Sequence, residues 1–321
     1  MRSLLVVFAA LILAGCKPAQ VTLALDPGFY PSAVAHDPIN DRFFIGSHAT
    51  GAIAIVRRDG HLVATVRPEQ ASHPIVQLAY EPRVRRLWAL TSDALEVVDV
   101  AALPVRRTLI GGAGPGGRFA DIVTDGGGRA YVLDAASGQV VAAEPGWRAL
   151  RVIASLPDAP APEAPLAGGA LALLPGGSAL LVARGADLWR VDLATSAVQP
   201  VALAGGLTEV SQLLVVGSDG AAHHVAAFRG RANEIVTLRL TADGHRAIVD
   251  GGTRMRYDTP VHGAFDGREV VVLLGRLRHH PSFGGDGRPN LPPRLATYYA
   301  ADAAGPRLAA APPAAGPALV R

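Results

Sequence analysis

Cysteine is all but absent. Cys16 is the single one in 321 residues, so no intramolecular disulfide can form and the core alone must hold the fold. Lysine is as scarce: Lys17 is the only one, and arginine supplies every other basic side chain. Neither charge sign dominates, with 30 Lys+Arg against 27 Asp+Glu and a net charge of +3. The densest basic clusters, Arg57-Arg58, Arg83 to Arg86 and Arg276 to His280, sit at strand edges and form no run that would neutralise a phosphate backbone. No nucleic-acid partner is expected. Long apolar runs are missing beyond Leu4 to Leu13, which is too short to cross a bilayer as a helix and excludes a multi-pass membrane protein. Also missing are Gly-x-Ser-x-Gly, P-loop, His-Glu-x-x-His and EF-hand patterns. Gly111 to Gly117 is glycine-rich, but no helix with a lysine follows it, so it reads as a loop between repeats.

What is present is half apolar by residue type, with 36 Gly and 25 Pro dividing the chain into short elements. The chain opens with a short positive segment, Met1 to Ser3, an apolar segment, Leu4 to Ile12, and Leu13-Ala14-Gly15-Cys16, the pattern of a secretory leader. Those last four residues resemble the lipobox of bacterial lipoproteins, and the resemblance implies a lipid on Cys16 that anchors the chain to a membrane. Several acyl chains give a stable anchor where one is marginal. Lys17 stands where Asp would retain the protein at the inner membrane, so a Gram-negative host would place it on the periplasmic face of the outer membrane. The expected division is a signal peptide over 1–15, a lipid-anchored linker over 16–20, a repeat domain over 21–302 and a disordered Ala/Pro-rich tail over 303–321.

The repeat domain holds six copies of one unit with a period of about 43 to 50 residues. Its second strands show it best: Arg42 to Gly46, Arg86 to Leu90, Arg129 to Leu133, Ala179 to Ala183, His224 to Phe228 and Arg268 to Val272. First strands precede them near Ala33, Gln77, Asp121, Ala170, Gln212 and His262, and third strands follow each at a turn. Outer fourth strands are clear only at His61 to Val66 and Arg246 to Val249, and 150–167 reads as loop. Antiparallel units of this kind cannot bury both faces alone, which predicts an all-β fold, a six-bladed β-propeller. Val21 to Leu25 has no unit of its own and is expected to complete the last blade as its outer strand. A monomer is expected.

The stretch Phe29 to Ser47, followed by Thr50-Gly51-Ala52-Ile53, resembles the first blade of the regucalcin/gluconolactonase (SMP-30) family of six-bladed propellers. That resemblance implies a lactone or ester hydrolase that binds a divalent cation, often calcium, through hard oxygen ligands at one mouth of the channel. The family's ligands are a Glu opening the first inner strand, middle-blade Asn residues and an Asp that serves as base. Here Ser32 stands at the Glu position, and none of Asn40, Asn233 and Asn290 opens an inner strand. No metal ligand is assigned.

Inner strands of a propeller begin at the channel mouth, which makes Ser32, Gln77, Asp121, Gln212 and His262 the candidate binding residues. Asp121 and His262 are the candidates for an acid/base pair or two metal ligands. The alternative is that these groups bond to channel water and neighbouring backbone. His279-His280 lies in a Gly/Pro-rich insertion, His279 to Pro293, and reads as solvated loop; His223-His224 lies on a strand and points to opposite faces. The expected function is a lipid-anchored cell-envelope binding or scaffolding protein for a small ligand or envelope protein. The runner-up is a divergent metal-dependent lactonase or esterase.

Overall fold

The computed structural model describes residues 20–68, 73–101, 105–144, 149–157, 168–254, 259–275, 277–281, 285–286, 292–302 and 305–308. The leader, Cys16 and Lys17 lie outside them. Blade 1 follows a short strand β1 (Gln20–Thr22) and comprises β2 (Pro31–Asp37), β3 (Arg42–Ser47), β4 (Ile53–Arg57) and β5 (Leu62–Val66). Blade 2 is β6 (Ile75–Glu81), β7 (Arg86–Thr91), β8 (Ala94–Asp99) and β9 (Arg106–Gly112). Blade 3 is β10 (Phe119–Thr124), β11 (Ala130–Asp134), β12 (Gln139–Ala143) and β13 (Arg151–Ser155). Blade 4 is β14 (Ala170–Leu173), β15 (Ala179–Arg184), β16 (Asp187–Asp192) and β17 (Val198–Pro200). Then β18 (Ala202–Ala204) leads to blade 5, β19 (Gln212–Ser218), β20 (Ala222–Arg229), β21 (Glu234–Thr241) and β22 (Arg246–Arg254). Blade 6 is β23 (Pro260–Phe265), β24 (Glu269–Leu274) and β25 (Arg294–Asp302), with β26 (Gly305–Leu308) behind it. The six sheets form a ring in which each inner strand touches those of the blades before and after it, β23 closing on β2.

The hairpins show why the sequence turns where it does. Between β2 and β3, Asp37 accepts from the Ile39 amide at 3.0 Å, from Asn40 Nδ2 at 2.8 Å and from Arg42 Nε at 2.8 Å, with Pro38 bending the chain. Inner and middle strands are apolar on both faces, and each of the six seams between blades holds its own apolar cluster. The core is therefore divided among the seams. At the seam of blades 5 and 6, Gly263 lies so close to the Phe228 ring that any side chain there would collide with it.

Ring closure uses both ends of the described chain. β1 pairs antiparallel with β25, Val21 opposite Leu295, so the outer-strand role expected for Val21 to Leu25 is borne out at Val21 and Thr22, with Gln20 added and 23–25 outside the strand. β26 pairs with the far end of the same strand, Tyr299 opposite Leu308, so the outermost position of blade 6 is shared by two segments. This strand falls inside the stretch expected to be a disordered tail; 303–304 and 309–321 lie outside the described residues. The reading of 150–167 as loop is corrected in part, because Arg151–Ser155 is the outer strand of blade 3. Two side chains secure the closure. Leu23 is 1% exposed among Phe43, Ile45 and Leu273, and Arg58 Nη2 bridges Asp41 of blade 1 and Asp266 of blade 6, both at 2.8 Å.

Truncating Leu23 should open a cavity where the ring closes, so Leu23→Ala is expected to lose about 2–5 kcal/mol in a urea titration. Val63→Ala on the exposed face of β5 should stay within about 0.5 kcal/mol. Equal, small losses at both positions would mean that closure does not rest on the Leu23 contact.

Candidate functional site

Four of the six inner strands carry a β-bulge where they open. Register shifts fall between Pro31 and Ala33, Ile75 and Gln77, Phe119 and Asp121, and Pro260 and His262. A bulge adds one residue and re-aims the side chains beside it. Beside these shifts Ser32, Gln77, Asp121 and His262 bond sideways to neighbouring blades, and each is 0–1% exposed. Gln212, from blade 5, is 8% exposed.

Their partners form a chain around the ring. Ser32 Oγ donates to the Ile75 carbonyl of blade 2 at 2.5 Å. Gln77 Nε2 donates to Asp121 Oδ1 at 3.0 Å, linking blades 2 and 3, and Asp121 Oδ2 accepts from the Leu171 amide of blade 4 at 2.7 Å. Gln212 meets both backbone groups of Gly263 in blade 6, donating to its carbonyl at 3.0 Å and accepting from its amide at 2.7 Å. His262 Nδ1 donates to the Ser32 carbonyl, which returns the chain to blade 1. Among the described residues, the seam of blades 4 and 5 has no such bond, since blade 4 opens on Ala170; an extensive apolar cluster fills it.

Burial sets the ionisation of this ring. It pushes the Asp121 carboxyl up to about 7, against the opposing effect of the Leu171, Gln77 and Ile122 N–H donors. It also pushes His262 down to about 4, although the Ser32 and Ser211 carbonyls favour the charged ring. His262 is thus neutral at neutral pH. The structure brings Gln77 to Asp121 and Ser32 to His262. Asp121 and His262 engage separate partners, with no hydrogen bond between them. No group of three or more His, Cys, Asp or Glu that could hold a metal ion occurs among the described residues.

From this ring toward the ends of the inner strands runs a channel of about 240 Å³, with Asp121 and Gln212 on its lining and His36, Tyr80, Thr124 and Phe265 where the strands finish. Burial and nearby Asp37 raise the Tyr80 phenol to about 12. On the opposite side, Leu277 and His280, from the chain between β24 and β25, lie over the seam of blades 6 and 1. Leu277 packs on Tyr30 and Val261, and the His280 ring stands edge-on to Tyr30 at 4.7 Å and to His48 at 4.8 Å. Burial first, then the charge of His280, pushes His48 down to about 4. His280 is thus packed, not merely a residue of a solvated loop. Sequence reading missed this cluster because His48 and His280 come from opposite ends of the chain and no local pattern joins them. His223 and His224 do point to opposite faces, His223 to Ser218 and Ala242, His224 to Asp219.

The buried groups make the stability pH-dependent with opposing signs. Asp121 holds its proton more tightly when folded, so its contribution is complete below about pH 4 and is lost as pH rises through about 7. His262 and His48 do the reverse: their contribution is complete above about 6.5 and is lost as pH falls through about 4. The two histidines therefore drive a rise in melting temperature from about pH 4 to 7, which the carboxyl opposes. Asp121→Asn removes only the opposing part and should steepen that rise; an unchanged slope by calorimetry would contradict the buried-carboxyl account.

No family model and no curated protein sequence matches the chain. Among solved structures it is similar to virginiamycin B lyase from Staphylococcus aureus, at 10% identity over 88% of this chain and 98% of that one, with a TM-score of 0.60. A catalytically inactive variant of that lyase with quinupristin matches at 11% identity over 80% and 81%, TM-score 0.57. The nidogen/laminin complex matches at 14% identity over 71% and 81%, TM-score 0.53. Likeness at these identities extends to the fold alone: the chain is a six-bladed β-propeller.

Proposed function

We propose that this protein is a lipid-anchored cell-envelope propeller that binds a ligand or partner, and that the mouth where its inner strands open is a frame for that binding instead of a catalytic centre. The observation that carries this reading is the ring itself. Both Asp121 oxygens and both ends of the Gln212 amide are taken by neighbouring blades. Contact with a ligand then falls to the segments around the mouth, the packed Tyr30–His48–His280 corner among them.

The gluconolactonase resemblance implies a cation on hard oxygen ligands, and the residues do not fit one. Ser32 replaces the opening Glu and its hydroxyl is bonded to Ile75. Asp121 already accepts three N–H groups. Asn40 is bonded to Asp37 in a hairpin, Asn233 follows a 3₁₀ turn, and Asn290 lies outside the described residues.

Two measurements test the proposal. Thermal unfolding in EDTA and then with Ca²⁺, Mg²⁺, Mn²⁺ or Zn²⁺ should give one unchanged midpoint, because an ion that binds only the folded state would raise it. A calcium-dependent rise lost in Asp121→Asn would move the protein to the hydrolases. In cells, labelled palmitate should enter the wild type and not Cys16→Ser, which should leave the membrane fraction; equal fractionation of the two would remove the anchor.

A further inference from the structure

Blade 5 carries a second cleft, on the rim of the propeller and apart from the channel. Along β22, Ala247 and Val249 pack toward blade 4, as do Leu238 and Leu240 of β21. Alternation therefore turns Arg246, Ile248, Arg239 and Thr241 to the other face. There they line a cleft of about 700 Å³ with Ala202 and Ala204 of β18, a size that suits a small-molecule ligand. β18 is the outermost strand of this sheet, so the cleft opens sideways.

Two observations indicate what it takes. Ile248 opposes Arg239 across the strands, which places Arg246 diagonal to Arg239 on the same face, within reach of one shared anion. Neither guanidinium has a carboxylate oxygen within 4.0 Å among the described residues. Asp219 also lines the cleft, but it accepts from the Ala221 and Ala222 amides at 3.0 and 2.8 Å and faces His224. Asp243, in the adjoining turn, is held by Thr241 and the His245 amide and feels the Arg246 charge from beyond ion-pair distance, so it offsets that charge only in part. The second observation is the apolar floor. Ile248 is 45% exposed beside Ala202, Ala204, Ala221 and Ala222, an arrangement that a bare anion would leave in water.

The geometry points to a site for an anionic phospholipid, its phosphate on the two arginine forks and the start of its acyl chains on Ile248 and the alanines. This goes beyond the binding role proposed above and does not depend on the anchor at Cys16.

The test uses the Cys16→Ser chain, which keeps every described residue, so a failure here is separate from a failure of the anchor. Dihexanoyl phosphatidylglycerol, kept below its micelle-forming concentration, should raise the melting temperature in a saturable way. The rise should shrink as salt goes from about 50 mM to about 0.5 M. Dihexanoyl phosphatidylcholine and inorganic phosphate should give none. The double variant Arg239→Gln, Arg246→Gln should melt as the parent does without lipid and lose the response. Ile248→Ser, which keeps both charges, should weaken the lipid by roughly fivefold. An equal rise with phosphatidylcholine, or one that survives in the double variant, overturns the site. A rise with phosphate alone overturns the lipid assignment.

Discussion

The inner and middle strands of every blade are apolar on both faces, and no blade can bury them by itself. A lone four-stranded sheet would leave both sides in water and a single partner would cover only one, so each blade needs two neighbours, and only a closed ring supplies them to all. The division of the core into six seam clusters follows directly. So does the demand on the ends of the chain. The last seam must be sealed by segments far apart in sequence, which is why β1 and β26 share one edge of β25 and why Arg58 reaches from blade 1 to Asp266.

Apolar packing sets how far apart the blades sit but is indifferent to sliding along a seam. Directional bonds at the inner strands remove that freedom. Ser32, Gln77, Asp121, Gln212 and His262 each reach across to an adjacent blade, at a depth where an unmet polar group would cost about 1–3 kcal/mol. A slipped seam would break such a bond in a dry place. The ring therefore acts as a register lock, and it leaves the mouth with little free polar chemistry.

Much of the architecture was legible because its signal is local. Six continuous apolar runs such as Phe43-Phe44-Ile45 and Val270-Val271-Val272 mark strands buried on both faces, and the structure places each as a middle strand. The outer strands were harder for the converse reason. β9 reads Arg106-Arg107-Thr108-Leu109, with one side in water and Leu109 66% exposed, so burial writes no run into it. β13 was hidden beside a Pro-rich stretch in the same way. At the site, the positions of the ring residues were legible and their directions were not. A bulge turns a side chain from opening to seam by inserting one residue, and nothing in the residue types Gln77 or His262 announces it.

That distinction bears on where function can reside in such a ring. The polar residues nearest the axis look most like a site in the sequence, yet they are the ones the fold needs for itself. Residues outside the seams carry no such duty. Arg239 and Arg246 stand on a face whose reverse side does the packing, so they contribute nothing to the core and leave their donors to solvent. A charged pair beside exposed Ile248 gains most from a ligand that meets both needs at once. In a propeller whose axis is locked by its own hydrogen bonds, the groups left free for the proposed recognition lie outward, around the mouth and on the rim.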